Sequence, residues 1–400
     1  MTANAGYHAY ATGDVLTAAQ VQYNLQNQTV MYFATTTARD AALTGAILVE
    51  GMVSYTPATG VMYYNGTAWT AVGSTIPTSY GFTAGKNRII NGDFGVWQRG
   101  TSISLTNNVT SYVCDRFRVY SSFSAGTTTF TQQTFTPGTA PVSGYEGTYF
   151  GRLTLGSTAT YWQLEQPIED VRTYAGQTVT FSFWAKAGAT VVVTPSFYQA
   201  FGTGGSSGVT TNGSNLTITT SWTRYTSTVT LPSVAGKTIG TSSNLALALL
   251  YVSGTINSST VDTWGWQLEA GSTATAFQTA TGTVQGELAA CQRYYYRLSG
   301  ASGQNNFYIG SGTVNASGSN AYIYTKYPTT MRVVPTFTFL SAGNYYIVSS
   351  PQGVATSVGT DNPGVDSAGL TFAKATMVAY GSATIQANTS SAYIEMSAEL

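Results

Sequence analysis

Three carboxylates close together in the sequence could catalyse the hydrolysis of a glycosidic bond. The segment "LEQPIEDV" contains Glu165, Glu169 and Asp170. Hydrolysis of this kind needs two carboxyl groups about 5–9.5 Å apart, one to donate a proton and one to act as nucleophile or base. The alternative is that the three residues belong to a solvated strand edge.

Other kinds of catalytic chemistry find little support in the sequence. The only histidine, His8, lies near the N-terminus, and the sequence has no G-x-S-x-G segment, so a serine nucleophile is not predicted. The glycine-rich segment "GTGGSSG" is not followed by GK[ST], which excludes a phosphate loop of that type. Cys114 and Cys291 are far apart and lack a neighbouring base, so we expect two free, buried thiols.

Aromatic and amide side chains beside turns are better candidates, and their chemistry is ligand binding. Tyr161 and Trp162 point to opposite faces of one strand, so one of them is expected to be exposed. Residues beside loops carry function more often than residues within strands. The candidate ligand-binding residues are Trp162, Phe197, Tyr198, Phe201, Asn305, Asn306, Phe307, Tyr308, Asn344, Tyr345 and Tyr346. Core packing is the favoured role for Trp97, Trp184, Trp264 and Trp266, the last two of which are expected to share one strand face.

The composition indicates a mainly β protein of low charge. Only 8% of the 400 residues are charged, and 16 basic residues balance 16 acidic ones, so binding to nucleic-acid phosphates is not expected. The chain is rich in Gly, Tyr and Phe, with 43, 28 and 17 residues, and Thr, Val and aromatic residues favour strands. No apolar run approaches the roughly 20 residues of a membrane span, and the N-terminus does not resemble a secretory signal.

The positions of these elements suggest several regions. Residues 1–80 should hold a helix in "DVLTAAQVQYNLQNQTVMYFAT", a second short helix ending at Gly45 and a small β-meander. A linker at 81–86 precedes residues 87–285, whose short, regularly spaced strands predict a jelly-roll sandwich. A connector at 286–298, with helical and then strand character, leads to a C-terminal β domain at 299–400, a sandwich-like tip.

Several segments together resemble a module of bacteriophage tail fibres. The opening "NRIINGDFGVWQRGTS" and "VCDRFRVY" are followed in the expected order by "TYAGQTVTFSFWAKA", "SWTRYTSTVTLP", "WGWQLEAGSTATAF" and "ELAACQRYYYR". That module is similar to the jelly-roll carbohydrate-binding modules of glycan-degrading enzymes. The N-terminal segment up to "TAWTAV" resembles the virion-attachment region of phage fibres, and "YPTTMRVVP" and "AYIEMSAEL" resemble fibre C-terminal domains.

The resemblance implies a non-enzymatic virion protein of the phage tail, assembled in the host cytoplasm. It implies a homotrimer that contacts other tail proteins through residues 1–80 and binds a host-surface polysaccharide, with no nucleic acid and no membrane insertion. The three carboxylates fall in a stretch that matches the non-catalytic module, which favours the strand edge. Two alternatives remain: a purely structural or decorating virion protein, and a polysaccharide depolymerase.

The resemblance also raises the question of calcium, although no other cofactor is expected. Related modules often carry a structural calcium ion, held partly by the opening motif and partly by an aspartate in the last strand. Asn91 and Asp93 are the candidate ligands in the opening motif, while Gly265 stands near the expected aspartate and Asp262 is displaced from it. The alternative is a plain Asn-Gly turn in which Asp93 caps the backbone locally.

Overall fold

The computed structural model describes residues 30–44, 48, 50–72, 85–142, 145–300 and 304–400. The chain divides into two compact units, residues 1–81 and 82–400. The described residues are mainly antiparallel β-sheet, which confirms the predicted fold class. Within these ranges, no helix is long and apolar enough to cross a membrane.

The first unit contains a small sheet with one short helix. Its strands pair in sequence order, with β1 parallel to β2. The elements are β1 (Met31–Tyr32), α1 (Thr36–Ala42), β2 (Val53–Thr56), β3 (Gly60–Tyr64) and β4 (Trp69–Ala71). The second predicted helix and the meander are therefore confirmed. Most of the first predicted helix lies outside the described residues, but its predicted end is wrong, because Met31 and Tyr32 pair with Ser54 and Tyr55 as a strand.

The second unit begins with a jelly roll of two facing sheets. One sheet contains β6 (Ser111–Tyr112), β7 (Arg118–Phe123), β10 (Ala159–Glu169), β12 (Val191–Ala200), β13 (Val209–Asn212), β14 (Leu216–Ile218) and β16 (Asn244–Gly254). The other contains β5 (Ser102–Ser104), β8 (Thr129–Thr134), β9 (Tyr149–Thr154), β11 (Thr178–Ala187), β15 (Thr223–Thr230) and β17 (Thr260–Ala270). Alternating side chains from both sheets form one apolar core between them, as period-2 sequences of this kind require.

A bulge in β17 separates two tryptophans that were expected to share a face. The pairing of β11 with β17 shifts between Ser182 and Trp184, and Gly265 takes a φ of +67°. Trp266 therefore packs in the core between the sheets, whereas Trp264 packs on the opposite face against Trp184. The shared-face prediction was wrong because an inserted residue reverses the alternation. Both indoles are fully buried, as the preferred core role requires.

A helix and a strand connect the jelly roll to a C-terminal sandwich. The helix α2 (Val284–Gln292) is capped by Thr283, whose side chain accepts a hydrogen bond from Gly286 N. A three-stranded sheet contains β18 (Tyr295–Ser299), β21 (Thr336–Phe339) and β27 (Tyr393–Ser397). A seven-stranded sheet contains β19 (Tyr308–Val314), β20 (Asn320–Lys326), β22 (Tyr345–Val348), β23 (Gly353–Val354), β24 (Ser357–Asp361), β25 (Ser367–Ala373) and β26 (Ser382–Ala387).

The C-terminal sandwich has its own apolar core, which both of its sheets line. Cys114 and Cys291 are both buried and free, which confirms the expectation for the thiols.

Candidate functional site

The strand β10 turns one row of side chains into the jelly-roll core and the other row outward. Trp162 and Leu164 belong to the core. Tyr161, Gln163 and Glu165 alternate with them and therefore lie on the outer face of the sheet. The aromatic residue of the Tyr161–Trp162 pair that lies on the outer face is thus the tyrosine, which is half-buried.

Neighbouring strands continue this outer face in register. Tyr120 on β7 lies opposite Gln163, and Leu250 on β16 lies on the other side of Gln163. Thr194 on β12 then pairs with Leu250. The row from β7 to β12 crosses three strand spacings, which is about 14 Å.

Small side chains form the middle of the same face. Ala248 lies between Glu165 and Ser196, and Ala246 lies between Pro167 and Tyr198. Both alanines are buried although they point outward, whereas Tyr198 is 45% exposed. Small side chains therefore lie between taller ones on this face, and their neighbours cover the two alanines.

The polar side chains on this outer face are ordered by their contacts with one another. Glu165 forms an ion pair with Arg118, with 2.5 Å between Oε1 and Nε, and accepts a hydrogen bond of 2.6 Å from Gln163 Nε2. Tyr161 OH lies 3.4 Å from Gln163 Oε1, and the rings of Tyr161 and Tyr120 are 6.0 Å apart. Burial, and then the charge of Glu165, raise the pKa of Tyr161, so its hydroxyl stays protonated and can donate.

This arrangement suits a flat ligand with many hydroxyl groups. Tyrosine rings offer apolar faces with a polar tip, and amide groups accept and donate hydrogen bonds. Glu165 is buried and Arg118 also donates to Leu400 O, so these two side chains hold the row in order. The principal charges on this part of the face, Glu165 and Arg118, neutralise each other. We therefore consider the outer face around Tyr120, Tyr161 and Tyr198, which we call the tyrosine face, as the candidate binding site.

The structure corrects four of the ligand candidates from the sequence. Trp162, Phe197 and Phe201 are almost fully buried in the jelly roll, and Tyr345 is buried in the C-terminal core. Their ring faces contact protein side chains and are closed to a ligand. They lie on the core-facing positions of their segments, which the sequence analysis did not separate from the outward positions.

The remaining candidates are spread over two surfaces. Tyr198 lies on the tyrosine face, whereas Tyr308 and Tyr346 lie on the outer face of the seven-stranded sheet, where both pair with Gln386. Asn305 and Asn306 are exposed, next to Tyr308. Asn344 has a structural role instead, because its side chain bonds to Ser341 and Thr389. Phe307 packs against the C-terminal core.

The sequence analysis missed Tyr120 and Tyr161 as binding residues. The signal was present, because Val119 and Trp162 are core residues, and Tyr120 and Tyr161 are their immediate neighbours in the sequence. Period-2 counting from these apolar residues would have placed both tyrosines on the outer face.

The three carboxylates considered for hydrolysis each have another partner. Glu165 and Glu169 lie on one strand face four residues apart, which separates their backbones by about 13 Å. Burial by itself would raise the pKa of Glu169, but hydrogen bonds from Arg293 and Tyr294 lower it below its ordinary value, the opposite of what a proton donor needs. Asp170 pairs with Arg172. These residues do not form the carboxyl pair that hydrolysis requires.

The candidate calcium ligands do not fit a calcium ion. Asp262 binds Arg152 through both carboxylate oxygens, at 2.6 and 2.8 Å. The Asn91 side chain donates to Val96 O and Asp115 O and accepts from Val96 N. Asp93 alone keeps weakly bonded oxygens, so the three residues are not a ligand set. Asn91 instead fixes the opening turn, and its φ of 61° explains the choice of residue.

Comparisons with known proteins show partial structural similarity. No protein-family model matches the sequence, and no curated protein matches it. One solved structure is the enzymatically active domain of tailspike protein 4 from bacteriophage CBA120, with a TM-score of 0.30, 14% identity, and coverage of 46% of this chain and 21% of that chain. The aligned part thus spans only about a fifth of the tailspike chain.

Two further structures are carbohydrate-binding modules. TmCBM61, solved with beta-1,4-galactotriose, has a TM-score of 0.28 and 12% identity, covering 46% of this chain and 99% of the module. The CBM22-2 xylan-binding domain from Paenibacillus barcinonensis has a TM-score of 0.26 and 15% identity, covering 46% and 96%. These superpositions are partial, so the functional argument rests on the side chains of the tyrosine face.

Proposed function

We propose that this chain is a bacteriophage tail fibre that binds a host-surface polysaccharide through the tyrosine face of its jelly roll. The observation that carries the proposal is the ordered row of Tyr161, Gln163, Glu165 and Arg118 on the outer face of the sheet. Side chains that already hold one another lose little freedom on binding, which favours recognition of a flexible sugar chain. The protein has no catalytic role in this proposal.

The proposed fibre is a homotrimer attached to the virion through residues 1–80. A row of exposed side chains supports self-association, because Tyr32, Tyr55 and Val61 are register neighbours across β1, β2 and β3. Val72 extends the row through its backbone hydrogen bond to Val61. A sheet this small with an apolar outer row needs a partner to cover it. Three copies would also strengthen weak sugar contacts through effective concentration.

Retention of the full chain on a panel of bacterial surface polysaccharides tests the binding function. We expect at least one polysaccharide to retain the protein without release of fragments. Tyr161→Ala should weaken that retention about tenfold, because the apolar surface that one stacked ring buries contributes about 1–2 kcal/mol to the binding free energy. Tyr380→Ala removes an exposed tyrosine of the C-terminal sandwich and serves as the matched control, with no change expected.

Each other outcome identifies a different function. Release of oligosaccharides would favour a depolymerase. Absence of retention on any polysaccharide, including that of the host, would favour a purely structural virion protein. Equal retention of the wild type and the Tyr161→Ala variant would show that the polysaccharide binds elsewhere than on the tyrosine face.

A further inference from the structure

A cavity of about 490 Å³ lies away from the tyrosine face, at one end of the jelly roll. Three segments line it: residues 93–96 of the opening motif, residues 145–149 before β9, and residues 279–287 at the start of α2. Its side chains include Asp93, Glu146 and Glu287, two tyrosine rings and three threonines, and no Lys, Arg or His is among the described lining residues. We call this cavity the acidic pocket.

Among the described residues, the acidic pocket contains the two buried or half-buried carboxylates that have no Arg or Lys partner. Within the described ranges, eight other carboxylates that are buried or half-buried have an Arg or Lys within 4.0 Å. These eight are Asp115, Glu165, Glu169, Asp170, Asp262, Glu269, Glu395 and Glu399. Asp93 and Glu287 are the two that have no such partner among the described residues, and both line the same cavity.

The Glu287 carboxyl group is held in place by neutral hydrogen-bond donors. Its Oε2 accepts a hydrogen bond of 2.7 Å from Asn91 N, and its Oε1 accepts two from the backbone and hydroxyl of Thr281, at 2.7 and 2.8 Å. These contacts hold the carboxylate in place but bring no positive charge. A buried carboxylate without a cation favours a positive charge nearby.

Asp93 is the carboxylate that a ligand can contact. Its two oxygens have only long hydrogen bonds, 3.3 Å from Gly95 N and 3.4 Å from Tyr145 OH. Burial, and then the charge of Glu287, raise its pKa to about 6, although the hydrogen bonds from Gly95 N and Tyr145 OH act in the opposite direction. The oxygens of Asp93 can therefore accept further hydrogen bonds from a ligand.

We propose that the acidic pocket binds a protonated amine carried by a sugar-sized molecule, such as an amino sugar. Asp93 accepts the ammonium hydrogens, and Glu287 attracts the charge from beneath. Tyr145 and Tyr149 line the cavity and supply aromatic rings and hydroxyl groups, and the threonine hydroxyls suit the sugar hydroxyls. The cavity is much larger than a bare metal ion, and the described residues contain no group of three metal-binding side chains.

Titration of the full chain with glucosamine, N-acetylglucosamine and glucose at neutral pH, followed by calorimetry or by NMR of the sugar, tests the proposal. Acetylation removes the positive charge and glucose lacks the nitrogen. We expect glucosamine to bind in the millimolar range and the two neutral sugars to bind at least about tenfold more weakly. Equal binding of the three sugars, or no binding of glucosamine at about 50 mM, would overturn the proposal.

Two substitutions locate the site. Asp93→Asn keeps the acceptor for Gly95 N but removes the charge, and should weaken glucosamine binding at least about tenfold. Val284→Lys places an ammonium group at the rim from an exposed position, and should compete with the ligand without disturbing the core. Val284→Gln is its matched control. Asp170→Asn, which changes a half-buried carboxylate elsewhere, is the control for Asp93→Asn.

Tyr161→Ala separates this proposal from the polysaccharide site, since it should leave glucosamine binding unchanged. If both Asp93→Asn and Val284→Lys bind glucosamine as the wild type does, the acidic pocket is not the glucosamine site. This conclusion would hold whether or not the tyrosine face binds polysaccharide.

Discussion

Replacing Glu399 by glutamine should destabilise the protein more than any surface charge change, because Glu399 anchors the C-terminal residues in the jelly roll. Its carboxylate forms ion pairs with Arg116 and with Arg99, the latter at 3.0 Å. The Arg116 side chain is 1% exposed, and its guanidinium also lies 3.5 Å from the centre of the Tyr294 ring. Burial by itself would lower the pKa of Arg116, but the charge of Glu399 raises it.

The magnitude follows from what the substitution leaves behind. A glutamine side chain at this position would have the same shape but no charge, so the buried guanidinium of Arg116 would keep only Pro167 O and the Tyr294 ring as strong partners. Removing one partner of a buried ion pair costs about 3–5 kcal/mol, a large part of a typical stability of about 5–15 kcal/mol. Replacing both partners, in Arg116→Met with Glu399→Leu, should cost less than Glu399→Gln alone.

Denaturant unfolding of the full chain, followed by tryptophan fluorescence, measures the free energy of unfolding of each variant. Asp170→Asn is the matched control, since it removes a carboxylate from an exposed pair with Arg172 and should change stability by less than about 0.5 kcal/mol. A loss below about 1 kcal/mol for Glu399→Gln would refute the reasoning, because it would mean that water reaches and solvates Arg116.

Two further predictions concern the bulge and the oligomer. Gly265→Ala should lower the free energy of unfolding by about 2–4 kcal/mol, because a Cβ there would lie 2.7 Å from the Trp184 ring and φ is +67°. Gly236→Ala, at φ +73° in open space, should lower it by only about 1 kcal/mol. Equal losses of the two variants in denaturant unfolding would contradict the steric argument. Light scattering should give three times the 42.2 kDa chain mass, and Tyr55→Lys should lower it, whereas a wild-type monomer at every concentration would refute the trimer.

The regular spacing of short segments between turn residues was enough to find the long strands of the jelly roll. The segments around Trp162, Phe181 and Leu247 each became a strand close to the predicted range. Each of these strands contributes alternate apolar residues to one core, so local pattern and tertiary packing agree. The same pattern also determines which tyrosines face outward, and the sequence therefore contained part of the tyrosine face.

Cross-strand register could not be read from the sequence. Tyr120, Gln163 and Leu250 form a row only because strands more than 40 residues apart in sequence pair at one particular register. The bulge at Gly265 depends on the approach of Trp184, which a local pattern does not contain. Sequence alternation assigned a face to a residue, but the neighbours on that face came from long-range pairing.

The scarcity of charge, which the sequence analysis used only to exclude partners, proved informative about sites. A chain with 8% charged residues keeps few charges for solubility, and many of its described carboxylates pair with Arg or Lys inside or at the edge of the fold. Against that pattern, Asp93 and Glu287 are conspicuous because segments nearly 200 residues apart bring both into one cavity without a cation. Hydrogen bonds hold Glu287 in the pocket, but a buried carboxylate is also favoured by a nearby positive charge. In the ion pairs an arginine or lysine supplies that charge, and in the acidic pocket we assign that role to a ligand.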